Sequence, residues 1–343
     1  MIDTSSEGVT YRKRVLDSMR AYRQAQVLIA CAELGVFAAL ADGARTSGDL
    51  ATQVGAQPRA LARLLNAAVA LGLLERSEGL YSNSPLAAAC LAREGPFYLG
   101  NLVGREGAFY RRWANLGEAV RTGKRPEENR RDEDRANWVR GFELALRDAA
   151  RTAAPAIANS LAPLLTPFGS TALRAIDVGG GHGAYSIALA ERYSLLEATI
   201  FELPAAAEVA RELTATTPVA ARVHVQAGDF KRDPLGAGYH LALLFGILVS
   251  ETEPDALALL HKVHDALVPG GWLLLRGTFL DEARTGPPEA VLGDVHMLLS
   301  TDAGGLQSLA EVTRWLGMAG FETAQRIDVA GENATLWAAQ KRT

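Results

Sequence analysis

The sequence predicts an α/β protein in two parts, a mostly helical N-terminal domain followed by a domain built on a mostly parallel sheet. In the second half of the chain, short apolar runs alternate with longer amphipathic segments, which is typical of parallel strands connected by helices. In the first half, nearly every segment has apolar residues at helical spacing. Pro163, Pro167 and Gly169 interrupt the pattern between the halves, so we predict domains at residues 1–165 and 166–343.

The composition indicates a globular protein and argues against two kinds of partner. Apolar residues make up 48% of the 343 residues, and the formal net charge is −4. Nucleic acid and anionic membranes attract basic surfaces, so we expect neither as a partner. The longest apolar run, residues 241–249, is far shorter than the roughly 20 residues of a membrane-spanning helix. The polar N-terminal stretch has no apolar core, and we therefore expect a cytoplasmic protein.

The N-terminal domain shows the order of elements of a winged helix. Three helical segments precede LLERSEGLYSNSP, residues 73–85, which predicts two short strands around a turn. Some winged helices bind DNA through a basic recognition helix. The corresponding segment here, residues 58–72, has two arginines in an otherwise apolar sequence, so DNA binding is disfavoured.

A glycine-rich stretch, DVGGGHG at residues 177–183, ends the first predicted strand of the second domain. Gly179, Gly181 and Gly183 would let the backbone bend tightly and a ligand approach closely. In open α/β sheets, ligands lie beyond the carboxyl ends of the strands. The spacing differs from the G-x-G-x-x-G of dinucleotide folds, and Asp177 at its entrance disfavours a phosphate and favours a cation.

Two later strand ends carry the other groups that an adenosine would need. Glu202, at the end of the second predicted strand, is placed to accept two hydrogen bonds from a ribose. Asp229 and Phe230 follow the third strand, where they would accept from the adenine amino group and cover the ring. Together these features predict S-adenosylmethionine as cofactor and S-adenosylhomocysteine as its product. The predicted cofactor-binding residues are Asp177, Gly179, Gly180, Gly181, Gly183, Glu202, Leu203, Gly228, Asp229, Phe230, Phe245 and Gly246.

The chain resembles S-adenosylmethionine-dependent O-methyltransferases of the group that includes plant caffeate-type enzymes and bacterial enzymes of polyketide and phenazine biosynthesis. The resemblance rests on DVGGGHG, FELP, GDF, LVPGGWLLL and AGF in the second domain, and on the winged-helix order and WANLGEAVRTGKRP in the first. It covers almost the whole chain. It implies a Rossmann-like methyltransferase domain and a winged-helix dimerisation domain that forms a homodimer. The apolar surface of residues 25–40 is consistent with a partner chain.

The sequence departs from this family at the acid and base positions. The resemblance implies a histidine after the fourth strand and two glutamates further on, but Val249, Gly277 and Leu306 occupy those places. A phenol with a pKa of about 10 is mostly protonated at neutral pH, so a base would help its methylation. We therefore expect transfer by proximity and orientation to a small aromatic or polyketide-like metabolite, most simply to oxygen, with nitrogen, carbon and carboxylate acceptors left open. The alternative is a family member with non-methylating chemistry, such as hydroxylation or decarboxylation.

Two residues are candidates for a substitute base. His296 lies in GDVHMLLST, which matches the pocket-lining helix of the family, and Glu251 lies two residues beyond the missing histidine. Histidines and acids do not cluster at metal-ligand spacing, so no metal is expected. From the resemblance, the predicted substrate-binding residues are Phe109, Trp113, Phe142, Leu146, Val249, His296, Met297 and Thr301.

Overall fold

The computed structural model describes residues 6–93, 95–126, 132–169, 171–331 and 335–342. The chain divides into two compact units, one that ends at Tyr110 and one that begins at Arg111. This division lies earlier in the chain than the boundary predicted after residue 165. Helical periodicity in the sequence does not show which domain a helix packs against, and the long helix Asp132–Ser160 packs on helices of the second unit.

The first unit is mostly helical and contains a small antiparallel sheet in the order β1-β3-β2. Glu78 and Gly79 join β2 to β3, and both have positive φ angles, as expected for a tight hairpin turn. The predicted order of helices and hairpin is therefore present. The elements are α1 (Ser6–Arg20), α2 (Tyr22–Glu33), α3 (Val36–Ala39), β1 (Arg45–Thr46), α4 (Ser47–Gln53), α5 (Pro58–Ala70), β2 (Leu74–Ser77), β3 (Leu80–Asn83), α6 (Pro85–Cys90) and α7 (Gly100–Trp113), whose last residues belong to the second unit.

The second unit alternates strands and helices. Its elements are α8 (Leu116–Thr122), α9 (Asp132–Ser160), α10 (Ala162–Leu165), β4 (Leu173–Val178), α11 (Ala184–Arg192), β5 (Leu196–Glu202), α12 (Pro204–Ala215), β6 (Val223–Ala227), β7 (Tyr239–Phe245), α13 (Glu253–Ala266), β8 (Leu267–Gly277), α14 (Pro288–Ser300), α15 (Leu309–Met318), β9 (Gln325–Ile327) and β10 (Thr335–Gln340).

These strands form one seven-stranded sheet in the order β6-β5-β4-β7-β8-β10-β9. The pairs from β6 to β8 are parallel, and β10 is antiparallel to both β8 and β9. The predicted mostly parallel α/β sheet is confirmed. From β4 the chain continues toward one edge of the sheet, through β5 to β6, and from β7 it continues toward the other edge. The pair β4–β7 is therefore a topological switch point, where the strand ends of an open sheet leave a crevice for a ligand.

Apolar side chains cover both faces of this sheet. Ala175 of β4 belongs to the cluster on one face, whereas Ile176 and Val178 belong to the cluster on the other. This alternation follows from the two-residue period of a strand. A third cluster forms the core of the first unit, around Leu50 and Leu65. Within the described ranges, no helix combines the length and the apolar character that a membrane crossing requires.

Candidate active site

The glycine-rich loop follows β4 and leads into α11. Gly179 and Gly181 have φ angles of +67° and +47°, a region that residues with a Cβ rarely adopt. A Cβ at Gly179 would also collide with the side chain of Ile247, and one at Gly181 would collide with that of Glu143. The backbone conformation therefore favours glycine here, and a Cβ would also displace the ends of two protein side chains, whereas the sequence predicts the approach of a ligand.

Asp177 lies beneath this loop. The residue is only 2% exposed, and its Oδ2 accepts a hydrogen bond from Ser186 Oγ at 2.9 Å. Burial raises the pKa of the Asp177 carboxyl to about 7, the bond from Ser186 opposes this, and the charge of Glu202 adds to it. The structure thus buries this acid under the loop and does not leave it at an open entrance.

Glu202 ends β5 and is tied to the same loop. Its Oε2 accepts from the backbone N–H of Gly181 at 3.1 Å, and its Oε1 accepts from that of Leu203 at 2.7 Å. Burial raises the pKa of this carboxyl, and the two backbone hydrogen bonds partly offset the increase. Each carboxylate oxygen has two lone pairs, so both oxygens retain the capacity to accept from a ribose diol.

The end of β6 lies beside Glu202, since the N–H of Gly228 donates to the backbone oxygen of Glu202 at 2.9 Å. Asp229 is half-exposed, and its Oδ1 accepts from the N–H of Lys231 at 2.9 Å. Phe230 packs against the second core cluster. These groups stand at the carboxyl edge of the sheet, next to the glycine-rich loop.

The end of β7 completes this edge. The ring of Phe245 meets that of Tyr185 edge-on, with 4.7 Å between centroids, and the N–H of Gly246 donates to the backbone oxygen of Arg276 at 3.1 Å. Leu203 is 52% exposed at the same edge. The structure brings all the predicted cofactor-binding residues together at the carboxyl ends of four neighbouring parallel strands, β6, β5, β4 and β7.

One charged residue of this region, Glu143 of α9, is missing from the sequence prediction. It is 6% exposed and accepts a hydrogen bond from the backbone N–H of His182. Burial raises the pKa of its carboxyl to about 7, and the charge of Glu202 adds to the increase. Glu143 continues the buried face of α9 that includes Ala150 and Ile157 at helical spacing. An acid on an apolar helix face is the signal that would have found it.

His296 of α14 is held at both ring nitrogens. The indole Nε1 of Trp113 donates to His296 Nδ1 at 3.2 Å, and Ser300 Oγ lies 3.1 Å from His296 Nε2. Because Nδ1 accepts the indole proton, the proton of the neutral ring is on Nε2. In this arrangement neither nitrogen has a free lone pair for an acceptor proton.

Apolar groups occupy two of the positions where the resemblance implies a histidine and a glutamate. Val249 packs against a small cluster that contains buried Leu306, and Met297 packs against the same cluster. Thr301 donates through Oγ1 to the backbone oxygen of Met297 at 3.0 Å. At the end of β8, a Cβ on Gly277 would lie 3.7 Å from the ring of Phe279. Val249 and Leu306 thus lie in one apolar cluster.

Glu251, the second candidate base, is paired with a cation. Its Oε2 lies 2.6 Å from Lys231 Nζ, which is also 3.3 Å from Asp255 Oδ2. Glu251 is 7% exposed, so this partner compensates a buried charge. A proton transfer through Glu251 would have to compete with the ammonium group.

The other predicted substrate-binding residues are aromatic or aliphatic. Phe142 of α9 stacks on Trp138 with 5.0 Å between ring centroids, and Leu146 lies one turn further on, half-buried. Phe109 belongs to the first unit, where it is buried beneath the guanidinium of Arg105. Among the residues described, no group of three or more histidines, cysteines and acids has an arrangement suited to a metal ion.

Comparison with known proteins identifies the family. Residues 145–322 match the O-methyltransferase domain, and residues 16–93 match the O-methyltransferase dimerisation domain. The chain is 32% identical to the tetracenomycin polyketide synthesis 8-O-methyl transferase TcmO of Streptomyces glaucescens, over 92% of this chain and 93% of that protein. It is 33% identical to 3-hydroxy-5-methyl-1-naphthoate 3-O-methyltransferase of Streptomyces sahachiroi, over 90% and 89%.

The fold is also that of a solved methyltransferase. Human N-acetylserotonin methyltransferase, in its crystal structure with S-adenosylmethionine, matches with a TM-score of 0.85 and 26% identity over 99% of each chain. The chain therefore belongs to the O-methyltransferase family, as the sequence motifs predict. It is an S-adenosylmethionine-dependent methyltransferase that carries the family's dimerisation domain.

Proposed function

We propose that this enzyme transfers the methyl group of S-adenosylmethionine to a hydroxyl oxygen of a small aromatic or polyketide-like secondary metabolite. The activities for which the two Streptomyces relatives are named, on a polyketide and on a naphthoate, support this class of acceptor. The cofactor supplies a methyl group on a positively charged sulfur, which leaves as a neutral thioether. Departure of that group needs no acid from the protein.

The carboxyl edge of the sheet offers suitable groups for the adenosine. In this proposal Glu202 accepts from the ribose hydroxyls, Asp229 accepts from the adenine amino group, and Phe230 covers the ring. Buried acids at the loop support a ligand that carries positive charge and disfavour a phosphate.

The enzyme acts on the acceptor without a base of its own. The observation that supports this step is the apolar cluster that contains Leu306 and against which Val249 packs, at positions where the resemblance implies a glutamate and a histidine. His296 has both nitrogens engaged, and Glu251 is paired with Lys231. Alignment of the two reactants can alone lower the barrier by several kcal/mol. The acceptor must then reach the site as its anion, or lose its proton to water.

The acceptor site is proposed to be lined by Trp113, Phe142, Leu146, His296 and Met297, together with Val249 and Thr301. Their mixture of aromatic and aliphatic surface suits a flat, apolar ring system. Trp113 and His296 form a connected, hydrogen-bonded pair, which gives that wall a fixed orientation.

A graded series of acceptors tests this function. The acceptors are naphthols and hydroxynaphthoates whose hydroxyl pKa values span about 6 to 10. Each is incubated with the enzyme and S-adenosylmethionine, and the product masses are measured by mass spectrometry. We expect products heavier by one methylene unit, with kcat/KM at pH 7 increasing with the ionised fraction. Rates that are independent of acceptor acidity would contradict the base-free step. Cofactor binding together with hydroxylated or decarboxylated products would support the alternative, non-methylating chemistry.

We also propose that the chain works as a homodimer formed through its first unit. The match to the family's dimerisation domain supports this, as does the exposed apolar surface of α1, where Val9, Val15 and Met19 are 64%, 67% and 59% exposed. Light scattering at micromolar concentration should give twice the mass of the chain, and a monomer would contradict the proposal.

A further inference from the structure

The proposed function leaves the carboxylate of Glu143, which lies at the glycine-rich loop, without a task. It comes from α9, outside the strand ends that supply the other acids. Its Oε2 lies close enough to Gly181 to collide with a Cβ built there, and this oxygen has no hydrogen-bond partner among the residues that the structure describes. An unpaired carboxylate oxygen at a residue only 6% exposed is costly, and such groups in native proteins call for an explanation.

We propose that Glu143 binds the α-ammonium group of the amino-acid part of S-adenosylmethionine. This inference rests on the proposed function, since it assigns a residue to the same cofactor. An ammonium group has three N–H donors and a full positive charge, so it satisfies the unpaired oxygen and neutralises the buried acid.

The position of Glu143 relative to Glu202 supports this assignment. Glu143 stands over Gly181, and the N–H of Gly181 donates to Glu202. The two carboxylates therefore flank one residue of the loop. A ligand whose ribose is bound at Glu202 has its amino-acid part a few bonds away, within reach of the second carboxylate.

The surrounding charges also favour a cation. Glu202 at the end of β5 and Asp177 beneath the loop are acids. His182 of the loop is buried, which lowers its pKa to about 4, and the charge of Arg147 lowers it further, so this ring is neutral near pH 7. Arg147, one turn beyond Glu143 on α9, adds a positive charge that acts on His182. Glu143, Glu202 and Asp177 lie at the same loop, and a ligand cation would be a further partner for these acids.

The ammonium group is a better partner for Glu143 than the sulfonium. A carboxylate held against the sulfonium would stabilise a charge that disappears during methyl transfer, and this would favour the ground state over the transition state. The ammonium keeps its charge in S-adenosylmethionine and in S-adenosylhomocysteine. The two alternatives thus predict different effects of Glu143 on the affinities for substrate and product cofactor.

Calorimetric titration of Glu143→Gln with three nucleosides tests the inference. S-adenosylmethionine carries both cations, S-adenosylhomocysteine carries only the ammonium, and 5′-methylthioadenosine carries neither. At pH 8 we expect the first two to bind about 10- to 100-fold more weakly than to the wild type, and the third to bind equally. Glu143→Asp, which keeps the charge, should recover part of the loss. Glu208→Gln removes an exposed acid from α12 and should change none of the three affinities.

Four results would overturn the inference. Unchanged affinities in Glu143→Gln would show that the carboxylate has no ligand, and equal weakening of all three nucleosides would show a structural role. Weakening of S-adenosylmethionine alone would assign Glu143 to the sulfonium. If the wild type binds none of the three, the proposed function fails and this inference fails with it. A wild type that binds and methylates, beside a Glu143→Gln with wild-type affinities, would remove only this inference.

Discussion

The indole nitrogen of Trp113 donates a hydrogen bond to Nδ1 of His296 across 3.2 Å, with the two ring planes 25° apart. Ser300 holds the other ring nitrogen of His296, and Arg112 donates in turn to Ser300 Oγ at 3.5 Å. This chain of contacts joins the end of α7 to α14. These contacts fix the orientation of the histidine ring and engage both of its nitrogens, one of which a general base would need free.

We expect His296→Gln to change acceptor binding more than proton transfer. Removal of a true general base lowers kcat by about 10²- to 10⁴-fold. For His296→Gln we expect kcat within about threefold of the wild type, a higher KM for the acceptor, and an unchanged dependence of kcat on pH. Steady-state kinetics with one acceptor from pH 6 to pH 9 provide the measurement. Trp113→Phe, which keeps a ring and removes the donor, serves as the matched comparison and should behave alike.

A histidine placed at position 249 should not restore acid–base catalysis. Val249 is partly buried against the cluster that contains Leu306, so an imidazole there would lie against hydrocarbon, and the members of this cluster offer it no carboxylate. Burying an unsatisfied polar group costs about 1–3 kcal/mol, and Val249→His should lower the free energy of unfolding by that amount. Urea denaturation gives the value, with Val249→Leu as a control for added volume. A many-fold increase of kcat in Val249→His would contradict this account of the site.

The buried Glu143 should make the ligand-free protein less stable as the pH rises. Below the ordinary carboxyl pKa of 4.5 the group is neutral in both folded and unfolded chains. As the pH increases, the unfolded chain ionises first, so the folded state loses stability until the pH passes the folded pKa of about 7. Glu143→Gln should therefore stabilise the protein by about 1–3 kcal/mol at pH 8.

The same substitution should have little effect on stability at pH 4.5, where the carboxyl is already neutral in the folded state. Denaturant titrations at the two pH values, without cofactor, provide the comparison. Glu208→Gln controls for the loss of an exposed acid. Equal effects of Glu143→Gln at both pH values would show that its cause is packing and not charge.

Gly181→Ala should destabilise the protein for two separable reasons. The φ angle of +47° disfavours a side chain by about 1 kcal/mol, and the new methyl group would collide with the Glu143 carboxylate. A double-mutant cycle with Glu143→Ala separates the two causes, because the second mutation removes the collision and leaves the backbone strain. We expect a coupling energy of about 0.5–3 kcal/mol between the sites. Additive effects would mean that Glu143 does not press on this glycine.

The strand-end residues could be predicted because their signal is local. Asp177, Glu202 and Asp229 each follow or end a short apolar run, and parallel strands place all such ends at one edge. The family comparison confirms the class of enzyme that these motifs indicate. The individual binding roles of these residues stay predictions.

Glu143 could not be placed in the same way. It lies on a long helix whose periodicity shows that one face is buried, but not what that face meets. Its approach to Gly181 depends on how α9 packs against α11, a contact between segments distant in sequence. The division of the chain near Tyr110 is hidden for the same reason, since a helical pattern looks alike on either side of a domain boundary.

The apolar cluster of Val249, Leu306 and Met297 has a consequence for the choice of methylation position. An enzyme with its own base can deprotonate whichever hydroxyl it holds near the methyl donor. In the proposed base-free transfer, two hydroxyls of one polyphenol that fit equally well react according to their own ionised fractions and the nucleophilicities of their anions. The proposal therefore makes regiochemistry depend jointly on the shape of the pocket and on the electronic structure of the metabolite, so that an electron-withdrawing substituent on the acceptor would redirect the product without any change in the protein.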